Sequence, residues 1–296
     1  MNDQQRRACP GCGKTIGKPL GQKDGYPIER CHACGTIFTP AVQMLAPDEH
    51  YKDYYSAANL AVPQFIATRA NEIVSDLSFV RQNGRMLDIG FGSGVIMDAA
   101  KAQGWEPFGL EVSAPAIDHA RQKGFEVFHG LLEEAAYPDG YFDLVTASEI
   151  LEHLPDPAET LREIFRILRP GGLFWGTTPS ASGISSRLMG SAWSMVTPPD
   201  HSQLFSPAAV RKMFQHAGFS DVAIKTFGFA PGEVREYYKS KLTGRSETRP
   251  GGSLEGAFRL NESFTRTPLR RFVKNVLNGT LNVLKMGDSL KIFARR

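Results

Sequence analysis

The stretch MLDIGFGSG, Met86 to Gly94, decides the fold. An apolar run ends in an acid, and glycines follow at alternate positions, Gly90, Gly92 and Gly94. A short apolar run closed by glycine is the pattern of a buried strand entering a tight turn. A turn without side chains accepts positive φ and lets a ligand approach the backbone. The next residues, GVIMDAAKAQG, carry helical periodicity, so the turn joins a strand to a helix. A dinucleotide fingerprint, GxGxxG, fails in both registers. Counted from Gly90 its third glycine falls on Val95, and counted from Gly92 it falls on Met97. Asp88 stands two residues before the first glycine, where a carboxylate repels a pyrophosphate. A ligand with a cationic group suits the loop better.

Outward from this turn the chain alternates. EPFGLEVS reads as a second strand, and Ser113 is placed to cap the helix APAIDHARQKG. FEVFHG and FDLVTASE are further strands. DPAETLREIFRILRPGG is a helix with Asp156 at the N-cap, Pro157 at N1 and Gly171 past its end. GLFWGTTP, FSDVAIKTFGF and DSLKIFARR complete seven strands, and SPAAVRKMFQHAGF is the helix before the sixth. A helix over Pro63–Val80 leads into the series, and Tyr51, Tyr54 and Tyr55 cluster just ahead of it, as a lid or as packing. The alternation predicts an α/β, Rossmann-like, mostly parallel seven-stranded sheet with one antiparallel strand. Ligands of such sheets sit beyond the carboxyl ends of the strands.

With LDIGFGSG, GLEVS, FDLVTASEILEHLPDP, ILRPGGLF and DHSQLFSPAAVRKMFQHAGF in place, the chain resembles a class I S-adenosylmethionine (SAM)-dependent methyltransferase of type 11/23 over residues 85–228. SAM carries a sulfonium, an ammonium and a ribose diol and no phosphate. The resemblance implies that Asp88 organises the turn of Gly90, Gly92 and Gly94 and approaches the methionine moiety. It implies that Glu111 takes the ribose hydroxyls, that Leu131 and Leu132 border the adenine, and that Glu149 lies beside the methyl group. Glu149, His153 and His201 are the candidate catalytic residues. Glu149, Glu152, His153 and His201 also resemble the two-glutamate, two-histidine metal site of RNA 3′-end methyltransferases. The first three resemble the metal site of ubiquinone-type O-methyltransferases. A second divalent ion, a general base and a purely structural role all stay open for this group.

The four cysteines all precede residue 35, as Cys9-x-x-Cys12 and Cys31-x-x-Cys34, eighteen residues apart. Two such knuckles match a four-thiolate zinc ribbon, whose closed tetrahedron makes the Zn²⁺ structural. A redox dithiol pair, or free thiols in a small core, is the alternative, and His32 is a spare ligand.

Charge is uneven. The net formal charge is +3, yet residues 235–296 hold 14 Lys/Arg against five Asp/Glu. Within them PLRRFVKNVLNGTLNVLKMG places Leu269, Phe272, Val273, Val276, Leu277, Leu281 and Leu284 on one stripe, with Arg270, Arg271, Lys274 and Lys285 around it. Such a basic amphipathic helix rests on an anionic membrane surface, or docks on the domain or on a twin subunit in a homodimer. No run of 18 apolar residues and no signal-like h-region is present, so the expected location is the cytoplasm, with a peripheral membrane option. The expected organisation is a ribbon over 1–40, a linker and helical cap over 41–84, a SAM-binding core over 85–229, a helical insert over 230–287 and a final strand over 288–296. The expected activity is methyl transfer to a small-molecule, glycan or lipid-linked acceptor. RNA methylation with the ribbon as clamp is the alternative, though the ribbon loop is only mildly basic, so nucleic acid is the weaker partner. A non-catalytic SAM-binding subunit is a third reading.

Overall fold

The computed structural model describes residues 6–41, 60, 62–243 and 268–296. The Tyr51, Tyr54 and Tyr55 cluster and most of the loop LTGRSETRPGGSLEG lie outside them.

The elements run in chain order as β1 (Gly17–Lys23), β2 (Tyr26–Cys31), β3 (Ile37–Phe38), α1 (Gln64–Leu77), β4 (Arg85–Ile89), α2 (Val95–Ala102), β5 (Glu106–Glu111), α3 (Ala114–Gln122), β6 (Glu126–His129) and β7 (Phe142–Ser148). There follow α4 (Pro157–Ile167), β8 (Leu168–Pro179), α5 (Ile184–Met189), β9 (Gln203–Leu204), α6 (Pro207–His216), β10 (Asp221–Phe227), α7 (Pro231–Thr243), α8 (Pro268–Leu284) and β11 (Ser289–Arg295).

Two sheets result. The larger has the order β10-β11-β8-β7-β4-β5-β6. Its β8/β7, β7/β4, β4/β5 and β5/β6 pairs are parallel. β11 runs against β8: Ser180 N donates to Asp288 O, while Arg296 N donates to Gly172 O. This is the mostly parallel sheet with one antiparallel strand that the alternation predicts. β4 is first in the glycine-turn motif and central in space, so its carboxyl end opens at the point where the strand order reverses.

By packing, the chain divides into two compact units. The first takes, of the described residues, 60, 62–177, 213–223 and 292–296. Its core sets Met86, Leu144, Leu173 and Trp175 of the strands against Val74 and Leu77 of α1 and Ile96, Ala99 and Ala100 of α2. Buried on both faces, β4 and β7 read as near-continuous apolar runs, as central parallel strands do. The base of this unit is pinned by Asp143, fully buried on β7. Its carboxylate accepts from Gln82 N at 2.7 Å, Gly84 N at 2.8 Å and Arg169 Nε at 2.5 Å, and Arg169 Nη2 donates to Val80 O at 2.6 Å.

Local signals hold with two differences. Asp156 caps α4 as its position predicts, accepting from Ala158 N and Glu159 N at 3.0 Å each. The helix ends sooner than the sequence reading has it, because Leu168 already pairs with Phe142 at the start of β8 and Pro170 lacks the N–H a helix needs. Ser113 stands at the N-cap of α3, but its hydroxyl makes no capping bond.

The second unit takes residues 6–41, 178–212, 224–243 and 268–291. Its sheet has the order β1-β2-β3-β9, so Ile37↔Leu204 and Phe38↔Gln203 add a strand from far along the chain to the ribbon. Ile28, Ile37, Trp193, Val196, Leu204 and Tyr237 form its core. Arg7 ties the ribbon on through Nε to Thr39 O and Nη2 to Ser202 O, both 2.7 Å, and Arg30 Nη1 reaches Ala181 O at 2.7 Å. The amphipathic helix expected in the insert forms as α8, and a further helix that the sequence reading did not foresee, α7, stands before it in the chain. The apolar stripe of α8 does not dock within the chain as a whole: Leu281 is buried, while Phe272, Val273, Val276, Leu277 and Leu284 are exposed. Leu269, Arg270, Arg271 and Lys274 have side chains outside the described set. Among the described residues no helix is long and apolar enough to cross a membrane.

Candidate active site and cysteine cluster

In the first unit the glycine turn leaves β4 with φ of +66° at Gly90, +54° at Gly92 and +74° at Gly94. These values favour glycine over any L residue. At Gly90 a Cβ would also stand 2.1 Å from Ile150 Cδ1, so the Ile150 side chain would have to move. Gly90 N donates to Leu110 O at 2.7 Å, which ties the turn to the neighbouring strand.

Two buried carboxylates flank the turn. Glu111, at the end of β5, holds it: Oε2 accepts from Gly92 N at 3.1 Å, and Oε1 accepts from Val112 N at 2.8 Å and Ser113 N at 3.1 Å. The carboxylate seen on the loop is therefore Glu111, whereas the resemblance assigns loop organisation to Asp88. Asp88 instead accepts from Thr146 Oγ1 at 2.7 Å across the β4/β7 pair. Burial pushes its carboxyl up to about 7, against the Thr146 hydrogen bond, and the nearby Glu111 charge adds to the rise. Thr146 escapes sequence reading because it lies inside an apolar strand. Its signal was there, a hydroxyl in the run FDLVTAS.

Two buried acids at one turn are an electrostatic demand for a cation. Ser113 Oγ adds a second demand: it is buried and has no hydrogen-bond partner in the structure. The positive-φ turn, the acid pair and the orphaned hydroxyl fit SAM, whose methionine end is cationic and whose ribose offers hydroxyls. Of the pair expected at the adenine, Leu132 is buried in the core and Leu131 is half-buried, so Leu131 keeps surface for a ligand.

Glu149 follows β7 directly at φ +56°, a left-handed conformation that is strained for a side-chain-bearing residue. Its N–H donates to Thr177 O at 2.9 Å, and Ser148 Oγ and Thr177 Oγ1 are 3.0 Å apart. The side chain is open to solvent, yet enough protein surrounds it for desolvation to raise its carboxyl above the ordinary range, opposed by Thr177, His153 and Glu152. Glu152 is buried on the following turn, and one of its carboxylate oxygens lies within 4.8 Å of a ring nitrogen of His153. His201 belongs to the second unit, where its Nδ1 is 2.8 Å from Met195 O.

In the second unit the four thiols converge. Cys9 Sγ and Cys34 Sγ are 3.5 Å apart, Cys12 Sγ and Cys31 Sγ 3.6 Å, and no disulfide forms among them. A zinc–thiolate tetrahedron with bonds of about 2.3 Å has edges of about 3.8 Å. The four sulfurs thus stand close to that arrangement, and this fits a zinc ion better than a redox pair. The hydrogen bond from Cys9 and Thr36, whose Oγ1 is 3.1 Å away, hold the Cys34 thiol below the usual thiol range, while the same sulfur contact and burial push Cys9 up. The cluster is joined to α6 through Ser206, whose Oγ donates to Cys34 O and accepts from Ala209 N at 3.0 Å.

The sheet order, the glycine turn and the acid ending the next strand define a class, the Rossmann-like fold of class I SAM-dependent methyltransferases. The profile of the family described as "Methyltransferase domain" matches residues 64–224, more than half of the chain, and the chain belongs to that family. A ubiquinone biosynthesis O-methyltransferase of Aeromonas salmonicida is 31% identical over 147 residues, which are 45% of this chain and 62% of that protein. A probable SAM-dependent methyltransferase of Mycolicibacterium smegmatis is 32% identical over 134 residues, 44% of this chain and 48% of that one. The chain thus spans only part of the length of these relatives. Among solved structures, a SAM-dependent methyltransferase from Archaeoglobus fulgidus superposes with a TM-score of 0.54 at 20% identity, covering 81% of this chain and 96% of that one. Phosphoethanolamine N-methyltransferase 2 of Haemonchus contortus, in complex with SAM, gives 0.56 at 16% identity over 88% and 61%. At such identities these two speak to the fold.

Proposed function

We propose that this chain is a SAM-dependent methyltransferase acting on a hydroxyl of a small-molecule, glycan or lipid-linked acceptor, with a structural zinc ion held by Cys9, Cys12, Cys31 and Cys34. The observation that carries the reading is the pair of buried acids, Asp88 and Glu111, at a glycine turn that no phosphate would tolerate. Asp88 with Gly90, Gly92 and Gly94 would hold the cationic end of the cofactor, and Glu111 the ribose. Bound there, SAM supplies an electrophilic methyl group on a sulfonium that leaves with the bonding electron pair.

The chain's own residues have three tasks. The turn and Ile150 fix the cofactor end, so that alignment is prepared before the acceptor arrives. Ser148, Thr177 and the strained backbone at Glu149 set the position of that carboxylate. Glu149 then takes the proton of the acceptor hydroxyl, a role suited to a carboxyl raised towards the working pH. His153, on the next turn, is the alternative base. The O-methyl class in the relatives' names supports an oxygen nucleophile. A second divalent ion is the secondary reading of Glu149, Glu152 and His153, favoured by the Glu152 and His153 donors within one unit.

Label transfer tests the proposal. Purified protein, methyl-labelled SAM and host extract are combined and the extract is split into RNA, lipid and soluble fractions. Label in the lipid or soluble fraction, lost at least tenfold in Glu149→Gln, is expected. Label in RNA would overturn the acceptor reading and make the ribbon an RNA clamp. SAM binding with no label anywhere would favour the non-catalytic subunit. Elemental analysis of the same preparation should find one zinc per chain, and a stoichiometric second metal would favour the metal-assisted reading.

A further inference from the structure

Helix α8 is attached by its polar side. Asn282 Oδ1 accepts from Thr226 N at 2.9 Å, Asn278 Oδ1 accepts from Gly228 N at 3.1 Å, and Thr226 Oγ1 donates to Leu281 O at 2.8 Å. The opposite side is open and, apart from Thr280, apolar. Phe272, Val273, Val276, Leu277, Val283 and Leu284 are 48–80% exposed. At 3.6 residues per turn they fill an arc of about 140°. An amphipathic helix of a globular unit ordinarily buries that arc and shows its amides to water. Here the arrangement is inverted, and an exposed contiguous apolar face marks an interaction surface.

Charge selects the occupant. Residues 268–287 contain Arg270, Arg271, Lys274 and Lys285 and no acid. Lys285 Nζ donates to Ile224 O at 3.4 Å on the attached side, and the uniformly basic sequence of the helix calls for an anionic partner. Anionic lipid would neutralise such charges near its surface. Beside the helix lies a groove of about 220 Å³, lined by Lys225, Lys291, Asn278, Gly279 and Asn282. Since Oδ1 of each asparagine accepts from the backbone, Nδ2 of each is left as a donor. Gly279 leaves the groove wall open, for a Cβ there would meet nothing within 4 Å. Two lysines and amide donors next to an apolar arc match a phosphate headgroup beside its acyl chains.

We propose that α8 is an interfacial helix that seats this chain on an anionic lipid bilayer, its apolar arc in the acyl boundary and the Lys225/Lys291 groove on a lipid phosphate. The inference goes beyond the methyl-transfer reading and stands apart from it. The test is co-flotation of the full-length zinc-loaded protein with phosphatidylglycerol/phosphatidylcholine vesicles and with pure phosphatidylcholine vesicles. Binding to the anionic vesicles is expected, at least about tenfold weaker on the neutral ones or in high salt. Val276→Asp should lower it at least about tenfold, as loss of a buried valine implies, and Val276→Leu should retain it. The double variant Lys225→Glu/Lys291→Glu should weaken binding on anionic vesicles, with SAM affinity and thermal unfolding of every variant unchanged. Absence of flotation, or equal flotation of Val276→Asp, would sink the proposal. So would a sedimentation-velocity dimer that Val276→Asp dissociates without any vesicle binding, which would make the arc a homotypic interface.

Discussion

Asp88 is where a single side chain carries the most consequence. Its carboxyl is raised from 3.8 to about 7 by burial. Between those values the folded chain therefore holds more protons than the unfolded one, so this group's contribution to stability falls as pH rises through that window. A cationic ligand reverses the preference, because it favours the carboxylate. SAM affinity should accordingly rise about tenfold between pH 6 and pH 8, with proton release, and Asp88→Asn should flatten the slope and weaken binding. Titration calorimetry in two buffers of different ionisation enthalpy reads both quantities. Sequence reading reached Asp88 and Glu111 because their spacing from the glycines is local. It missed Thr146, which meets Asp88 only through the register Asp88↔Thr146 of two parallel strands, and such registers are set by tertiary packing. Glu149 was legible as the acid ending a strand, but its left-handed backbone was not, since nothing in SEILEH requires φ above zero.

Among the elements, the strands and helices around the glycine turn follow from periodicity and caps, and the structure departs where a neighbour decides. The end of α4 is one such place, taken over by β8. The Asp143 anchor is another. An acid at the second position of the strand FDLVTAS reads as an edge, whereas here it gathers the loop before β4 and Arg169 of β8. Its removal would strand a half-buried guanidinium and two backbone N–H groups. Asp143→Ala should therefore cost about 3–5 kcal/mol in denaturant unfolding. Asp143→Asn should recover part of that, because the amide oxygen still accepts. Equal, small effects of both would show that the anchor is solvated.

For the whole molecule, the cysteine pairs announce a ribbon, but nothing in them announces β9 or the shared core with Trp193. Contacts between residues so far apart in sequence leave no local pattern. Of the three tryptophans, Trp193 alone lies in the unit that holds the cysteines, with Trp105 and Trp175 in the other. In a Trp105→Phe/Trp175→Phe background, a strong chelator should shift Trp193 emission to the red and open the segment 178–212 to protease, because metal binding here is folding energy. Unshifted emission after complete metal removal would mean that the core with Val196 and Leu204 suffices alone. The β3/β9 pairing also has a consequence in time. Ile37 waits for Leu204, 167 residues later. At ordinary rates of synthesis that is about 10–30 s during which a metal-closed ribbon leaves the ribosome with an unpaired apolar strand edge. The nascent chain is then most exposed to wrong partners, so the yield of soluble protein depends on how fast it is translated and on which chaperones attend it.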